Sequence, residues 1–258
     1  MDLALSHIFK RKEASDHLPD AQIDRKHLPR HIGVIMDGNG RWAKKKGLPR
    51  TAGHAAGAET FRTIATYSKD LGVRYFTVYA FSTENWKRPA EEVNGLMNLF
   101  RKYLKEAIET MARENLAVRV IGDLHVLAPD ILELVEHANS MAAKLSDCAV
   151  ATLCINYGGR DEIKNAVQEI SRKVQAGVLQ PEEITEDTIS RHLYTRDMPD
   201  PDLIIRPSGE IRISNFLLWQ SAYAEYYFTD TLWPDFEKKD LDAAILDYQK
   251  RSRRFGGV

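Results

Sequence analysis

The stretch His31-Ile32-Gly33-Val34-Ile35-Met36, running straight into Asp37-Gly38-Asn39-Gly40-Arg41-Trp42, decides the fold. An apolar run without polar alternation is what a strand covered on both faces requires. Its end in a glycine-bearing polar loop places a site just beyond the strand's carboxyl end. Similar runs recur at Arg74–Phe81, Ala117–Ile121, Ala149–Ile155 and Leu203–Arg206, with a further one around Tyr223–Phe228. Segments of helical period separate them, at 52–70, 90–115, 129–145, 160–176 and 184–193. This alternation predicts an α/β fold, a single domain with a largely parallel central sheet flanked by helices. No Pro/Gly/Ser linker or internal repeat divides it, so the domain is read as 29–258. Residues 1–28 carry three histidines and dense mixed charge without a period, and read as a mobile or loosely attached arm.

The clearest helix is 90–115. Val93, Leu96, Met97, Phe100, Tyr103, Leu104, Ala107, Ile108 and Met111 recur at three-to-four spacing on one face. That stripe either packs on the sheet or lines a groove for an apolar ligand. Periodicity does not separate the two.

The loops after the strands are more specific. Asp37–Trp42 succeeds the first strand, Ser82-Thr83-Glu84-Asn85-Trp86-Lys87-Arg88-Pro89 the second, Asn156-Tyr157-Gly158-Gly159-Arg160 the fourth and Arg206–Ser214 the fifth. In open parallel sheets ligands sit beyond the carboxyl ends of the strands, so these loops should share one rim. Arg41, Arg50, Arg88, Arg206 and Arg212 offer guanidinium forks suited to phosphate oxygens. Gly38, Gly40, Gly158 and Gly159 let backbone amides approach an anion closely. Asp37 among them is placed to hold Mg²⁺, a hard cation preferring oxygen.

Composition narrows the classes. In 258 residues, 43% are apolar, which excludes a disordered chain, and 36 Lys+Arg against 37 Asp+Glu argue against a nucleic-acid partner. Cys148 and Cys154 are too few for a disulfide framework and lack histidines at zinc spacing, so a reducing, cytoplasmic setting is expected. The longest uncharged stretches, Cys148–Gly159 and Ile213–Ala224, are about 12 residues, short of the roughly 20 that span a bilayer. Met1–Lys10 does not read as a signal peptide. There is no G-x-x-x-x-G-K-[ST] phosphate loop, and Gly38-Asn39-Gly40 does not continue as a dinucleotide fingerprint.

The residues His31–Ala43, with Gly47, Arg50 and Gly53-His54-Ala55-Ala56-Gly57, resemble the first motif of the cis-prenyltransferases. Phe81–Pro89 is similar to their second motif and Asn156–Arg160 to their third. Asp202–Arg206, Gly209-Glu210, Arg212–Gln220, Glu225, Tyr227-Phe228 and Trp233-Pro234 are similar to the last. The resemblance covers about residues 28–255 in order, nearest to the bacterial undecaprenyl diphosphate synthase type. Pro207 departs from it, standing where the family usually has threonine. The all-helical trans-prenyl synthases carry Asp-rich motifs, and this chain contains no Asp-Asp pair.

The resemblance implies repeated addition of isopentenyl diphosphate to an allylic diphosphate, farnesyl diphosphate as the usual starter, making Z double bonds. It makes Asp37 the central catalytic carboxylate, with Mg²⁺ held by Asp37 and Glu225. It places Gly38, Asn39, Gly40, Arg41, Trp42, Arg50 and His54 around the allylic diphosphate. Arg206, Arg212 and Ser214 would bind isopentenyl diphosphate, and Ser82, Thr83, Glu84, Asn85, Trp86 and Arg88 would lie on a closing loop. The proton acceptor stays open among Asp37, Asn85 through a relay, and the diphosphate. An apolar tunnel between the long helix and the sheet, lined by Leu96, Met97, Phe100 and Leu104, would house the product. A homodimer and transient contact with a membrane surface are further implications. A non-catalytic prenyl-binding subunit, or a phosphatase using Asp37 as nucleophile, are the competing readings.

Overall fold

A computed structural model describes residues 23–251. Six strands form one sheet: β1 His31–Ile35, β2 Tyr75–Ser82, β3 Leu116–Ile121, β4 Ala149–Tyr157, β5 Leu203–Arg206 and β6 Glu225–Phe228. Their order is β3-β4-β2-β1-β5-β6, and all five pairings are parallel. Every carboxyl end therefore lies on the same rim.

Seven helices accompany the described strands: α1 Asn39–Lys45, α2 Arg50–Leu71, α3 Ala90–Glu114, α4 Pro129–Lys144, α5 Gly159–Gln175, α6 Glu186–Ser190 and α7 Lys238–Lys250. The predicted strands and the helices 52–70, 90–115, 129–145 and 160–176 match within a few residues. The predicted 184–193 helix shrinks to α6. Two helices have no counterpart in the sequence reading. At seven residues, α1 is too short to show a period. In α7, Leu241, Ala244 and Ile245 are buried at helical spacing, a signal that was present.

Alternation along each strand sorts its side chains between two cores. Ile32 and Val34 of β1, Phe76 and Val78 of β2, Ala151 and Ile155 of β4, and Leu203 and Ile205 of β5 join the larger core with α2, α3, α4 and α7. Ile35, Cys154, Tyr157 and Ile204 face a smaller one with Phe216 and Leu217. A register shift between Tyr79 and Phe81 turns Phe81 toward the larger core. Strands buried on both faces explain the unbroken apolar runs. The exposed edge of β3 is closed by Asn139 of α4, whose amide accepts from Val120 N at 2.9 Å and donates to Val120 O at 3.0 Å.

Residues 1–22 of the expected arm lie outside the described residues. Residues 23–28 belong to the folded body: Ile23 is buried in the larger core, and Gln249 of α7 donates to Asp24 O at 2.7 Å and His27 O at 3.1 Å.

Candidate active site

Asp37 follows β1 and precedes Gly38, whose φ of 101° opens the way into α1. Trp233 N donates to Asp37 O at 3.0 Å, and the fully buried Trp233 indole donates to Gly57 O at 2.8 Å, fixing the strand tip against α2. The Asp37 carboxylate accepts from Gly38 N at 2.6 Å and from Arg206 Nη2 at 2.8 Å, with Arg41 Nη2 at 3.5 Å. Burial alone would raise this carboxyl. The Arg206 guanidinium, the Gly38 amide and the Ser208 hydroxyl outweigh it and hold Asp37 below its ordinary value. Arg206 is 3% exposed. Its Nη1 donates to Ser214 Oγ at 2.7 Å and to the Arg212 carbonyl, while its Nε is buried without a protein partner.

A polar cavity of about 620 Å³ opens here, lined by Asp37, Gly38, Asn39, Gly40, Arg41, Arg50, His54 and Arg88. All eight are sequence-predicted site residues. Lys44 and Glu92 also stand at this cavity, and the sequence reading did not single them out. Lys44 lines the same cavity, and only the turn of α1 brings it there. Glu92, in the first turn of α3, places one oxygen 3.0 Å from Arg88 Nη1, 3.2 Å from Arg50 Nε and 3.4 Å from His54 Nε2. It gathers two guanidinium groups and an imidazole, contributed by α2 and by the segment that leads into α3. Burial lowers the His54 imidazole, and Arg88 adds to that effect.

Met36, Asn39 and His54 also line a second cavity, an apolar tunnel of about 170 Å³ between α2, α3 and the sheet. Leu96, Met97, Phe100 and Leu104 all line it, so the α3 stripe serves as a groove wall. Its other wall is α2, through Gly57, Phe61 and Ala65.

Not every predicted residue joins the cavity. Trp42 does not line it: its indole donates to Asp235 Oδ1 at 2.6 Å and Lys46 lies over its ring. On the 3₁₀ turn Thr83–Lys87, Asn85 Oδ1 accepts from Ser82 N at 3.0 Å, and Thr83 donates to Glu84. Trp86 packs edge-on against Phe81 and donates to Asn156 Oδ1 at 2.8 Å. The Arg212 guanidinium pairs with Glu210. Gly158 and Gly159 do not form an anion cradle, because they pack against Asn215, Thr83 and Leu218.

Glu225 stands apart from Asp37 within the chain. It stands level with Leu203 and, through β5, with Ile32, at the amino end of the sheet, and it pairs with Arg251 at 2.6 Å. Asp37 lies five residues further along β1, roughly 16 Å at the rise of a strand. The chain does not bring the two carboxylates together. Among the described residues no three His, Cys, Asp or Glu gather as a metal site.

A cation-lined mouth opening into an apolar tunnel fits a ligand with a diphosphate head and a hydrocarbon tail. The prenyltransferase family model, described as undecaprenyl diphosphate synthase, matches residues 35–256. The chain belongs to the cis-prenyltransferase family. It is 50% identical to the isoprenyl transferase of Heliobacterium mobile over 96% of this chain and 95% of that one. It is also 50% identical to that of Clostridium tetani, over 97% and 99%. Among solved structures, lavandulyl diphosphate synthase from Lavandula x intermedia in complex with dimethylallyl diphosphate has a TM-score of 0.85 and 34% identity, covering 89% of this chain and 98% of that one. A protein of Campylobacter jejuni described as a probable undecaprenyl diphosphate synthase has a TM-score of 0.72 and 33% identity, covering 88% and 98%. In this prenyltransferase Arg206 and Arg41 converge on Asp37 at the rim of the sheet.

Proposed function

We propose that this prenyltransferase adds isopentenyl diphosphate repeatedly to farnesyl diphosphate and makes a long-chain Z-polyprenyl diphosphate, undecaprenyl diphosphate, the lipid-carrier precursor for cell-wall glycans. One observation carries the reading: the arginine-lined mouth and the apolar tunnel share Met36, Asn39 and His54, so head and tail sites are continuous. Arg41, Lys44, Arg50, His54 and Arg88 would hold the allylic diphosphate, and Arg206, Arg212 and Ser214 the isopentenyl diphosphate. In each round the allylic C1–O bond breaks and C1 joins C4 of isopentenyl diphosphate. The double bond moves to C2–C3 and a proton leaves C2.

The negative charge that grows on the departing diphosphate meets preorganised guanidinium groups, which stabilise it most where water is excluded. Asp37, held ionised by Arg206, is a weak base, so the departing diphosphate takes the C2 proton. Asn85, whose amide oxygen closes the Ser82 turn, orients that loop. Asp37 would hold Mg²⁺ through its single carboxylate, in keeping with an ion that takes few protein ligands. When bound, the ion supplies further charge neutralisation at the diphosphates. Each CH₂ buried in the tunnel adds roughly 0.8 kcal/mol to binding.

The same reading includes a cytoplasmic homodimer. Among the described residues no helix is long and apolar enough to cross a membrane, so the product would be handed over by transient surface contact. The test is incubation with labelled isopentenyl diphosphate, farnesyl diphosphate and Mg²⁺, followed by mass spectrometry of the lipid extract. A 55-carbon diphosphate is expected, and Asp37→Ala should lower turnover by several orders of magnitude with the far-ultraviolet spectrum unchanged. Absence of any labelled polyprenyl product from the wild type would overturn the proposal.

A further inference from the structure

The β4–α5 turn, Asn156–Arg160, has the composition of an anion loop but serves as a junction. Asn156 Oδ1 accepts from the Trp86 indole, and its Nδ2 donates to Asp123 O at 2.6 Å. Gly159 N donates to Asn215 O at 2.7 Å and Arg160 N to Asn215 Oδ1 at 2.9 Å. A Cβ on Gly158 would stand 2.7 Å from Asn215 Nδ2 and 2.9 Å from Thr83 Oγ1, so a larger residue would push these two side chains aside. The remaining donor of Asn215, Nδ2, reaches Glu84 Oε1 at 3.2 Å.

Three loops thus meet at one side chain. The β4–α5 turn is the fixed partner: the buried Tyr157 hydroxyl donates to Glu162 at 2.5 Å, and Glu162 also accepts from Gln220 at 3.0 Å and Tyr194 N at 2.8 Å. Asn215 is tied to that frame by both its main chain and its side chain. Glu84, on the exposed turn Thr83–Lys87, reaches Asn215 by side chain alone. Asn156, Ser214, Asn215 and Leu217 all hold positive φ, at 45°, 48°, 67° and 44°. Such conformations persist in non-glycine residues only where the surroundings over-determine them, and they gather at functional sites. Ser214, next to Asn215, accepts from Arg206, and Arg206 holds Asp37. A continuous path therefore runs from the turn bearing Asn85 and Trp86 to the Arg206 site.

We propose that Asn215 is a positioning residue that couples the two diphosphate sites: the Glu84–Asn215 contact links the 83–88 loop, on the allylic diphosphate side, to Ser214 and Arg206 on the isopentenyl diphosphate side. The inference rests on the assignment of these loops under the proposed function. Coupling of this kind is reciprocal, so each diphosphate tightens the other by the same factor.

Binding of a poorly ionising allylic thiolodiphosphate, measured by calorimetry with and without isopentenyl diphosphate and Mg²⁺, reads that factor directly. In the wild type, isopentenyl diphosphate should tighten the analogue by about 5-fold or more. Asn215→Asp sets two carboxylates face to face while keeping the acceptor for Arg160 N, and should bring the factor close to one. Pairing it with Glu84→Gln restores a donor opposite an acceptor, and should restore the factor. A wild type that binds both ligands independently overturns the inference, as does Asn215→Asp with full coupling or a double variant without rescue. Should Asn215→Asp fail to fold, Glu84→Ala on the exposed turn must lose the coupling instead, and its retention there also overturns it. A wild type that binds neither diphosphate refutes the proposed function itself, which keeps the two failures apart.

Discussion

Asp37 shows how one side chain acquires its chemistry from neighbours distant in sequence. Its position at a strand tip places it at the rim, but its charge state is set by Arg206, 169 positions away and 4% exposed at the side chain. With Arg206 buried and Asp37 partly so, the pair is sensitive to loss of either member, because the survivor keeps its desolvation without the compensation. In Arg206→Met the hydrogen bond and charge that lower Asp37 are gone, while the burial that raises it remains. The acid limb of the kcat/KM profile should then move to higher pH than in the wild type, where Asp37 stays ionised below its ordinary value. Steady-state rates between pH 4 and pH 8 measure it, and an unmoved limb would deny the pairing a role. Glu92 makes the same point for the mouth, since one carboxylate oxygen spaces Arg50, His54 and Arg88.

Among elements, the approach of α1 to α2 depends on two glycines. A Cβ at Gly53 would stand 2.1 Å from Asn39 O, and one at Gly57 would stand 2.4 Å from Asn39 Oδ1. Gly53→Ala should force α1 outward, destabilise the fold by roughly 1–3 kcal/mol in urea titration, and lower kcat by displacing Asp37 and Arg41. Strand pairing carries a different sensitivity. His31, in β1, is buried between Thr77 of β2 and the Pro199 carbonyl, each at 2.7 Å. Burial lowers its imidazole from 6.5 to about 4 against the opposing effect of the Pro199 bond and Asp202. The neutral form is the folded form, so its contribution is complete above pH 6.5 and declines as the pH falls toward 4. Between pH 7.5 and pH 5 the unfolding free energy should drop by about 2 kcal/mol from this group. Denaturation of the wild type and of His31→Gln at both values separates that contribution, which the variant should lack.

For the whole molecule, the decisive relation is between tunnel and mouth. At about 170 Å³ the tunnel is close to the roughly 150 Å³ that holds one benzene, so a growing chain has to part α3 from α2 as it lengthens. Under the proposed elongation, packing between those two helices would resist the growing chain and set where it stops. Ala65, a small residue of α2 on the tunnel wall, is a place to add bulk. Ala65→Leu should shift the product to shorter chains by one or more isoprene units, with initial rates on farnesyl diphosphate nearly kept. Mass spectrometry of the extracted lipids decides it.

Much of this was legible in the residues alone. The unbroken apolar runs dictated strands buried on both faces, hence a parallel sheet and a shared rim, and the loop composition carried the proposal of a phosphate-type ligand there. Local pattern suffices because periodicity and strand burial are properties of adjacent positions. The basic side of the mouth lay within reach of the same reading, since Arg41, Arg50, His54 and Arg88 fall in or beside the motifs that follow the first two strands. Tertiary structure alone decided the rest. It placed Glu92 between Arg50, His54 and Arg88, turned Gly158 and Gly159 into packing contacts, buried Ile23 in the core, and set Glu225 apart from Asp37 within the chain. Each of these depends on distances between segments far apart in the chain, which only the register of the folded sheet and the packing of its helices fix.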